Sequence, residues 1–371
     1  MRSEPRVIAV TGAAGFIGRN LVVRLEELEH DVRPITRASS VSEIEETLAA
    51  ADVVFHLASA IRPPDPQEFV RTVEFTNLVT ETIARGGRRP LLVYSSSRKA
   101  EADSEFGRTT RACEEAVFRL GARGQATAAV YRLPNIFGKW ARPNYNSCVA
   151  TFCHNLARDL PIRIDDPVSP LSLLYVDDLI EQWHGLMGRW PPASSYLEAD
   201  RVYDTTVGEL AATLSAFAEG RRGGRVENVG AGLARALYAT FIAALPTEAF
   251  SYPLVAHTDP RGSFAEVLKT REGGQVSVLT AGPGVTRGGH YHHTKVERFL
   301  VVHGQARFRF RHILSGEIFE LMTSAEQPVV VETIPGWTHD ITNVGDGGMV
   351  SLLWANEVFD HSRPDTVLMP V

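Results

Sequence analysis

Cysteine and lysine are both scarce in this 371-residue chain, and each scarcity excludes something. The three cysteines (Cys113, Cys148, Cys153) make no C-x-x-C pair and no paired framework, so no disulfide scaffold is expected. That usage fits a reducing, cytoplasmic setting. Lysine occurs only at Lys99, Lys139, Lys269 and Lys295, so chemistry that needs a lysine has few candidates. No basic run appears and the net charge is −6, which argues against nucleic acid as a partner. No apolar run approaches a membrane span, so no membrane partner is expected. Arg2-Ser-Glu-Pro-Arg6 leads straight into a strand, without the regions of a secretory leader. Internal repeats and long low-complexity linkers are also missing. Apolar content of 44% and charged content of 22% are ordinary for a globular protein. The length allows two domains, each with its own core.

What is present is densest between Gly284 and Gly304, where the chain reads G-x5-H-x-H-x4-E-x6-G. On a strand, residues i and i+2 share a face, so His290 and His292 point the same way. Glu297 then comes from the next strand, and His339, in Pro335-Gly336-Trp-Thr-His339-Asp-Ile-Thr-Asn343, from a distant one. Three imidazoles and a carboxylate suit one divalent ion, with zinc expected and Fe²⁺ or Ni²⁺ compatible. A lone H-x-H pair would be a common coincidence; the added glutamate, glycines and distal histidine argue against that. The pattern resembles the two-part signature of the cupin superfamily, small double-stranded β-barrels, with the proline of the second motif one place late at Pro335. That barrel hosts isomerases, oxygenases and binding modules, so it does not fix function.

The first two-thirds of the chain alternate differently. Arg6-Val-Ile-Ala-Val10 is a buried strand, and Thr11-Gly12-Ala-Ala-Gly15-Phe16-Ile17-Gly18 turns into a helix beginning near Arg19. Glycines there permit a tight turn and close approach of backbone to a pyrophosphate at a helix N-terminus. The second strand, around Asp31–Ile35, ends in Thr36-Arg37 with no acid for a ribose diol, so Arg37 points to NADP(H) rather than NAD. Further strands are expected within Asp52–Ser59, Leu91–Ser97, Val130–Gly138 and Leu174–Asp178, which marks a doubly wound sheet. T-G-x-x-G-x-x-G, D-V-V-x-H-L-A and R-x-x-N-x-F-G together resemble the extended short-chain dehydrogenase/reductases, which modify nucleotide sugars. The resemblance implies cofactor contacts at Gly12, Gly15, Phe16, Ile17, Gly18, Leu57 and Ala58.

Both halves together are similar to the bifunctional UDP-sugar epimerase/reductases of bacterial capsule synthesis, the CapF type. The cues are Tyr131-Arg132-Leu-Pro-Asn135-Ile-Phe-Gly138-Lys139-Trp140, Arg142-Pro-Asn144-Tyr145, Trp354-Ala-Asn356-Glu357 and Arg363-Pro-Asp365-Thr366. The resemblance implies a nucleotide-sugar substrate held through Asn135, Lys139, Arg142 and Asn144, and a homodimer. It also implies that the cupin epimerises a 4-keto-6-deoxy UDP-N-acetylhexosamine at C3, after which NADPH reduces the C4 ketone.

That reduction needs a tyrosine acid, a lysine four residues later, and a serine to polarise the carbonyl. Ser96 and Ser97 occupy the serine end of the strand, but the tyrosine position is Phe106 and the lysine position is Thr110. The only literal Y-x-x-x-K, Tyr291 to Lys295, lies inside the strand-borne histidine motif, where i and i+4 do not meet as on a helix. The usual C4 reduction is therefore expected to be lost or greatly slowed.

These readings give an α/β plus all-β chain: a Rossmann-like doubly wound parallel sheet over residues 1–245, then a cupin double-stranded β-barrel over residues 246–371. Asp259 and Arg261 read as a turn near the start of the barrel. The expected activity is metal-dependent epimerisation or isomerisation next to a ketone. A full epimerase/reductase, an iron oxygenase and a non-catalytic nucleotide- and metal-binding protein stay open as alternatives.

Overall fold

The computed structural model describes residues 5–253, 256–259, 262–265, 269–270, 274–357 and 362–371. The chain opens with β1 (Val7–Thr11), α1 (Phe16–Glu27), β2 (Asp31–Ile35), α2 (Val41–Ala50) and β3 (Val53–His56). Next come α3 (Gln67–Gly86), β4 (Leu91–Ser97), α4 (Glu105–Ala122), β5 (Thr127–Leu133) and β6 (Asn135–Phe137). Then follow α5 (Cys148–Leu156), β7 (Pro170–Tyr175), α6 (Val176–Gly188), β8 (Ser195–Leu197), β9 (Val202–Thr206), α7 (Val207–Arg222) and α8 (Gly232–Ile242). The main sheet has the order β2-β1-β3-β4-β5-β8, and its pairings are parallel. Its inner strands β1, β3, β4 and β5 are largely buried on both faces, as a parallel sheet covered by helices requires, whereas the edge strands β2 and β8 are partly exposed. Ile8, Val10, Val53, Phe55, Leu91 and Val93 pack toward α1 and α6. Their sequence neighbours Ala9, Val54, Leu92 and Tyr94 pack toward α2, α3 and α4. Side-chain alternation thus builds two cores from one sheet.

Helix α1 begins at Phe16 rather than near Arg19. Gly18 therefore lies inside its first turn, where an added Cβ would come within 2.2 Å of the Gly12 carbonyl oxygen. Capping boxes, Ser40 with Glu43 and Thr206 with Glu209, open α2 and α7.

The C-terminal part forms two five-stranded antiparallel sheets. One orders its strands Ser251–Pro253, Val329–Glu332, Glu297–His303, Met349–Ala355, Gln275–Ala281; the other orders Ile318–Ser324, Gln305–His312, Trp337–Asn343, Thr286–Tyr291, Val367–Leu368. Phe299 of the first meets Phe308 of the second at 5.6 Å, and Phe250 packs edge-on against Phe310, Phe319 and Trp337. This is the double-stranded barrel expected from the sequence. Asp259 ends the strand Ala256–Asp259, which pairs with Gly262–Ala265; Arg261 lies outside the described residues.

Compactness does not follow chain order at residue 245. Residues 1–137 and 171–204 form one unit, and residues 138–170 and 205–371 form the other. Within the second unit, Glu332 is fully buried and takes Arg298 Nη2 at 2.8 Å on one oxygen and Arg221 Nε at 2.7 Å on the other. Arg221 closes α7, whereas Arg298 and Glu332 sit on paired barrel strands, so one carboxylate ties the late helices to the barrel. Removing it strands a guanidinium that is only 2% exposed. Glu332→Ala is expected to cost about 3–5 kcal/mol, read as a drop in unfolding free energy; a loss under ~1 kcal/mol would contradict this role.

Candidate functional site

In the first unit the strand order reverses on either side of β1, and the glycine turn leaves the carboxyl end of that strand. Gly12 has φ +67°, and a Cβ there would stand 2.8 Å from the Ala58 amide nitrogen. The turn is thus pressed against Leu57 and Ala58, just beyond β3. Gly15 caps α1 without a side chain, so the helix N-terminus presents bare N–H groups, the usual seat for a pyrophosphate. Thr11 fixes this corner. Its hydroxyl oxygen accepts the amides of Leu57 (3.1 Å) and Ala58 (3.3 Å), so its proton goes to His56 Nδ1 at 2.7 Å. His56 then donates from Nε2 to Thr76 Oγ1 at 2.9 Å, and Thr76 donates to the Thr72 carbonyl. Burial pushes the His56 imidazole down to about 4, so it stays neutral in this chain of bonds. Arg37, just past β2, is 92% exposed and meets Glu68 Oε2 at 3.2 Å. An exposed pair of this kind is weak and leaves the guanidinium able to exchange partners.

Phe106 and Thr110 both fall on α4, one turn apart, as the catalytic pair should. Neither offers the chemistry. Thr110 is buried, and its hydroxyl donates to the Phe106 carbonyl oxygen at 2.7 Å. Ser97 caps the short turn Arg98–Glu101 by accepting the Lys99 amide. Ser96 donates to the buried Glu114 carboxylate. Glu114 also receives Arg132 Nε (2.9 Å) and Nη2 (2.7 Å) and the Tyr196 hydroxyl (2.8 Å). Burial raises its carboxyl, but the bonds from Arg132, Ser96 and Tyr196 outweigh that and leave it lowered. Sequence reading passed over this network because β8 reaches β5 only through the crossover.

On the sugar side, Asn135 lies in the first unit and donates to the Ser172 carbonyl at 3.4 Å. Lys139, Arg142 and Asn144 lie in the second. Lys139 is 2% exposed and lines a cavity of about 210 Å³ together with Trp140, Cys153, His154, Arg158 and Leu245. Arg142 sits over the Tyr145 ring at 5.3 Å, and the Asn144 amide donates to Thr151 Oγ1; neither lines that cavity. Arg158 has no sequence signal: it follows α5 and reaches the cavity only because α5 packs beside α8, where its Nη1 donates to the Ala244 carbonyl at 2.9 Å. Gly336, at φ +81°, explains the Pro-Gly of the second histidine motif: a Cβ would lie 2.7 Å from the Trp140 ring.

The barrel brings His290, His292, Glu297 and His339 together, with one potential ligand atom from each lying within 4.8 Å of the others. His290 is on the strand Thr286–Tyr291, His292 one residue beyond its end, Glu297 at the start of the next strand, and His339 on Trp337–Asn343. Ring centroids are 5.0 Å apart for His290 and His292, 4.9 Å for His290 and His339, and 5.3 Å for His292 and His339. Glu297 Oε2 lies 3.2 Å from His292 Nε2 and 3.6 Å from His339 Nε2. His339 Nε2 is buried and has no hydrogen-bond partner. Burial, with His339 and His292 beside it, pushes His290 down to about 3. Burial would raise Glu297, but the His292 and His339 imidazoles hold it well below the usual carboxylate range. Imidazoles pushed down by burial at His290 and His339, an ionised carboxylate at Glu297 and an orphaned buried nitrogen suit a divalent cation.

A glycine turn at the switch point of a parallel sheet, joined to a histidine-bearing antiparallel barrel, defines a two-part nucleotide-dependent enzyme class. Residues 8–189 match the NAD dependent epimerase/dehydratase family, and residues 257–367 match the polysaccharide biosynthesis C-terminal domain. A UDP-2-acetamido-2,6-beta-L-arabino-hexul-4-ose reductase of Pseudomonas aeruginosa is 49% identical over 97% of each chain. The capsular polysaccharide assembling protein CapF of Staphylococcus aureus is 36% identical, covers 98% of this chain and 99% of its own, and superposes with a TM-score of 0.66. A UDP-glucose 4-epimerase of Thermotoga maritima, 20% identical over 57% of this chain and 82% of its own, shares the fold with a TM-score of 0.52. The chain belongs to the CapF-type family of nucleotide-sugar epimerase/reductases, and with it to the nicotinamide-dependent enzymes. Among the described residues, no helix is long and apolar enough to cross a membrane.

Proposed function

We propose that the barrel, residues 246–371, epimerises a UDP-4-keto-6-deoxyhexosamine next to its ketone, and that residues 1–245 hold NADP(H) but reduce C4 slowly if at all. The observation that carries this reading is the convergence of His290, His292 and His339 on the Glu297 carboxylate. These four side chains would hold the ion, zinc by donor type. When bound, it would supply Lewis-acid polarisation of the ketone oxygen, which acidifies the neighbouring C–H. Glu297 offsets the ion's charge, and burial of His292 and His339 excludes water. In the nucleotide domain, the N–H groups at the start of α1 would bind the pyrophosphate, and Arg37 the 2′-phosphate. Phe106 has no proton to give, and Thr110 cannot carry a charge toward the nicotinamide ribose.

A second reading, the full epimerase/reductase, is favoured by the 49% identical relative, whose name specifies reduction of a hexul-4-ose. Incubation with a UDP-4-keto-6-deoxyhexosamine in D₂O separates the two. Deuterium is expected at C3 with no NADPH consumed. Stoichiometric NADPH loss with a C4 alcohol would establish the second reading, and no exchange in the zinc-loaded protein would sink the first.

A further inference from the structure

Four residues separate the ligands His292 and Glu297, and every backbone N–H from His293 to Glu297 is held by a side-chain acceptor. Asp365 takes the first three: His293 N at 2.9 Å on Oδ1, Thr294 N at 2.6 Å and Lys295 N at 2.7 Å on Oδ2. Asn356 Oδ1 accepts Val296 N, and Thr333 Oγ1 accepts Glu297 N, both at 2.9 Å. Consecutive amides converging on one carboxylate form an anion nest, and here the anion is part of the chain itself. The Thr294 hydroxyl adds a fourth bond to Asp365 Oδ2 at 2.9 Å. Asp365 also acts through its backbone. Its carbonyl oxygen lies 2.5 Å from His292 Nδ1, and a carbonyl only accepts, so Nδ1 carries the proton. The lone pair of His292 is thereby fixed on Nε2, the atom that faces Glu297.

The segment carrying Asp365 is itself strapped to the ligand strand. Val367–Leu368 pairs with Tyr291 and His290, and the Met369 amide donates to the Gly289 carbonyl at 2.8 Å. Arg311 Nη2 holds the Pro370 carbonyl at 2.7 Å, and Lys295 Nζ reaches Thr366 Oγ1 at 3.2 Å. Neither histidine motif contains residues 365–370.

We propose that Asp365 is a positioning residue of the four-ligand cluster: its carboxylate shapes the 293–295 loop and its carbonyl orients His292. The inference rests on the metal-binding reading above. Partners of this kind orient ligands and typically govern about 10–100-fold of metal affinity. The test uses the full chain, with zinc affinity measured by competition against a chelator for wild type, Asp365→Asn and Asp365→Glu. Asn puts an N–H₂ group where only acceptors fit, and Glu keeps the charge but displaces it by one methylene. Both are expected to bind zinc about 10–100-fold more weakly. Zinc should also raise Tm less in the variants than in wild type, a difference that a merely structural role would not produce, because ligand stabilisation follows affinity. Zinc affinity within twofold of wild type in the variant that folds overturns the proposal. Failure of wild type to bind zinc, Co²⁺ or Fe²⁺ overturns the metal reading instead, so the two failures are distinct.

Discussion

His339→Ala is expected to empty the barrel of its divalent ion and to slow C3 exchange by about 10²–10³-fold. A metal acting as a Lewis acid contributes several kcal/mol to stabilising developing charge, and each ~1.4 kcal/mol is tenfold in rate. His339 is the informative ligand to remove. It lies within the strand Trp337–Asn343, is 4% exposed, and its Nε2 has no hydrogen-bond partner. Alanine removes the 3.6 Å contact with Glu297 Oε2 and leaves a gap among Phe310, His290 and His292, the rings that surround it. Metal analysis of the purified variant and deuterium exchange at C3 are the two readouts. NADP(H) binding in the other unit should be unchanged, which separates loss of the cluster from global unfolding. Wild-type exchange in a metal-free His339→Ala protein would remove the ion from the mechanism altogether.

Much of this cluster is legible in the sequence. Strand alternation puts His290 and His292 on one face, and the glutamate and distal histidine complete a donor set whose chemistry is explicit in the residue types. The glycine turn was equally open to reading, because Gly12 and Gly18 occupy positions that no side chain can share. Asp365 was visible only as part of a resemblance. Its role depends on a tail that returns to a loop seventy residues earlier, and no local period encodes such a return. The partners of Glu114 on α4 have no sequence signal, because Arg132, Ser96 and Tyr196 come to it from three separate strands. The compact grouping of residues 138–170 with the barrel was likewise hidden. It rests on contacts such as Trp140 against Gly336, which join segments far apart in sequence.

The largest gain of function is expected from Phe106→Tyr combined with Thr110→Lys. A positioned general acid contributes about 10²–10⁴-fold, and the double variant should oxidise NADPH faster by that factor with a UDP-4-keto-6-deoxyhexosamine. Phe106→Tyr alone should gain little. A phenol titrates near pH ~10, and without a cation one turn away it is held there. Thr110→Lys alone supplies charge but leaves position 106 without the phenol that protonates the ketone oxygen. The geometry of α4 supports the pairing, because positions four apart share a helix face and both side chains already stand on it. Glu114, one turn further along, could capture the new ammonium, but Arg132 already neutralises it through two hydrogen bonds. Packing sets the cost: Thr110 is only 4% exposed, and a longer side chain there should destabilise by ~1–3 kcal/mol. Tm and NADP(H) affinity of the double variant therefore need to be measured beside its rate. A folded, cofactor-binding double variant that oxidises NADPH no faster than wild type would mean that Phe106 and Thr110 are not what limits reduction. Wild type already turning over rapidly would mean the same, and would point to a proton donor elsewhere in the cleft.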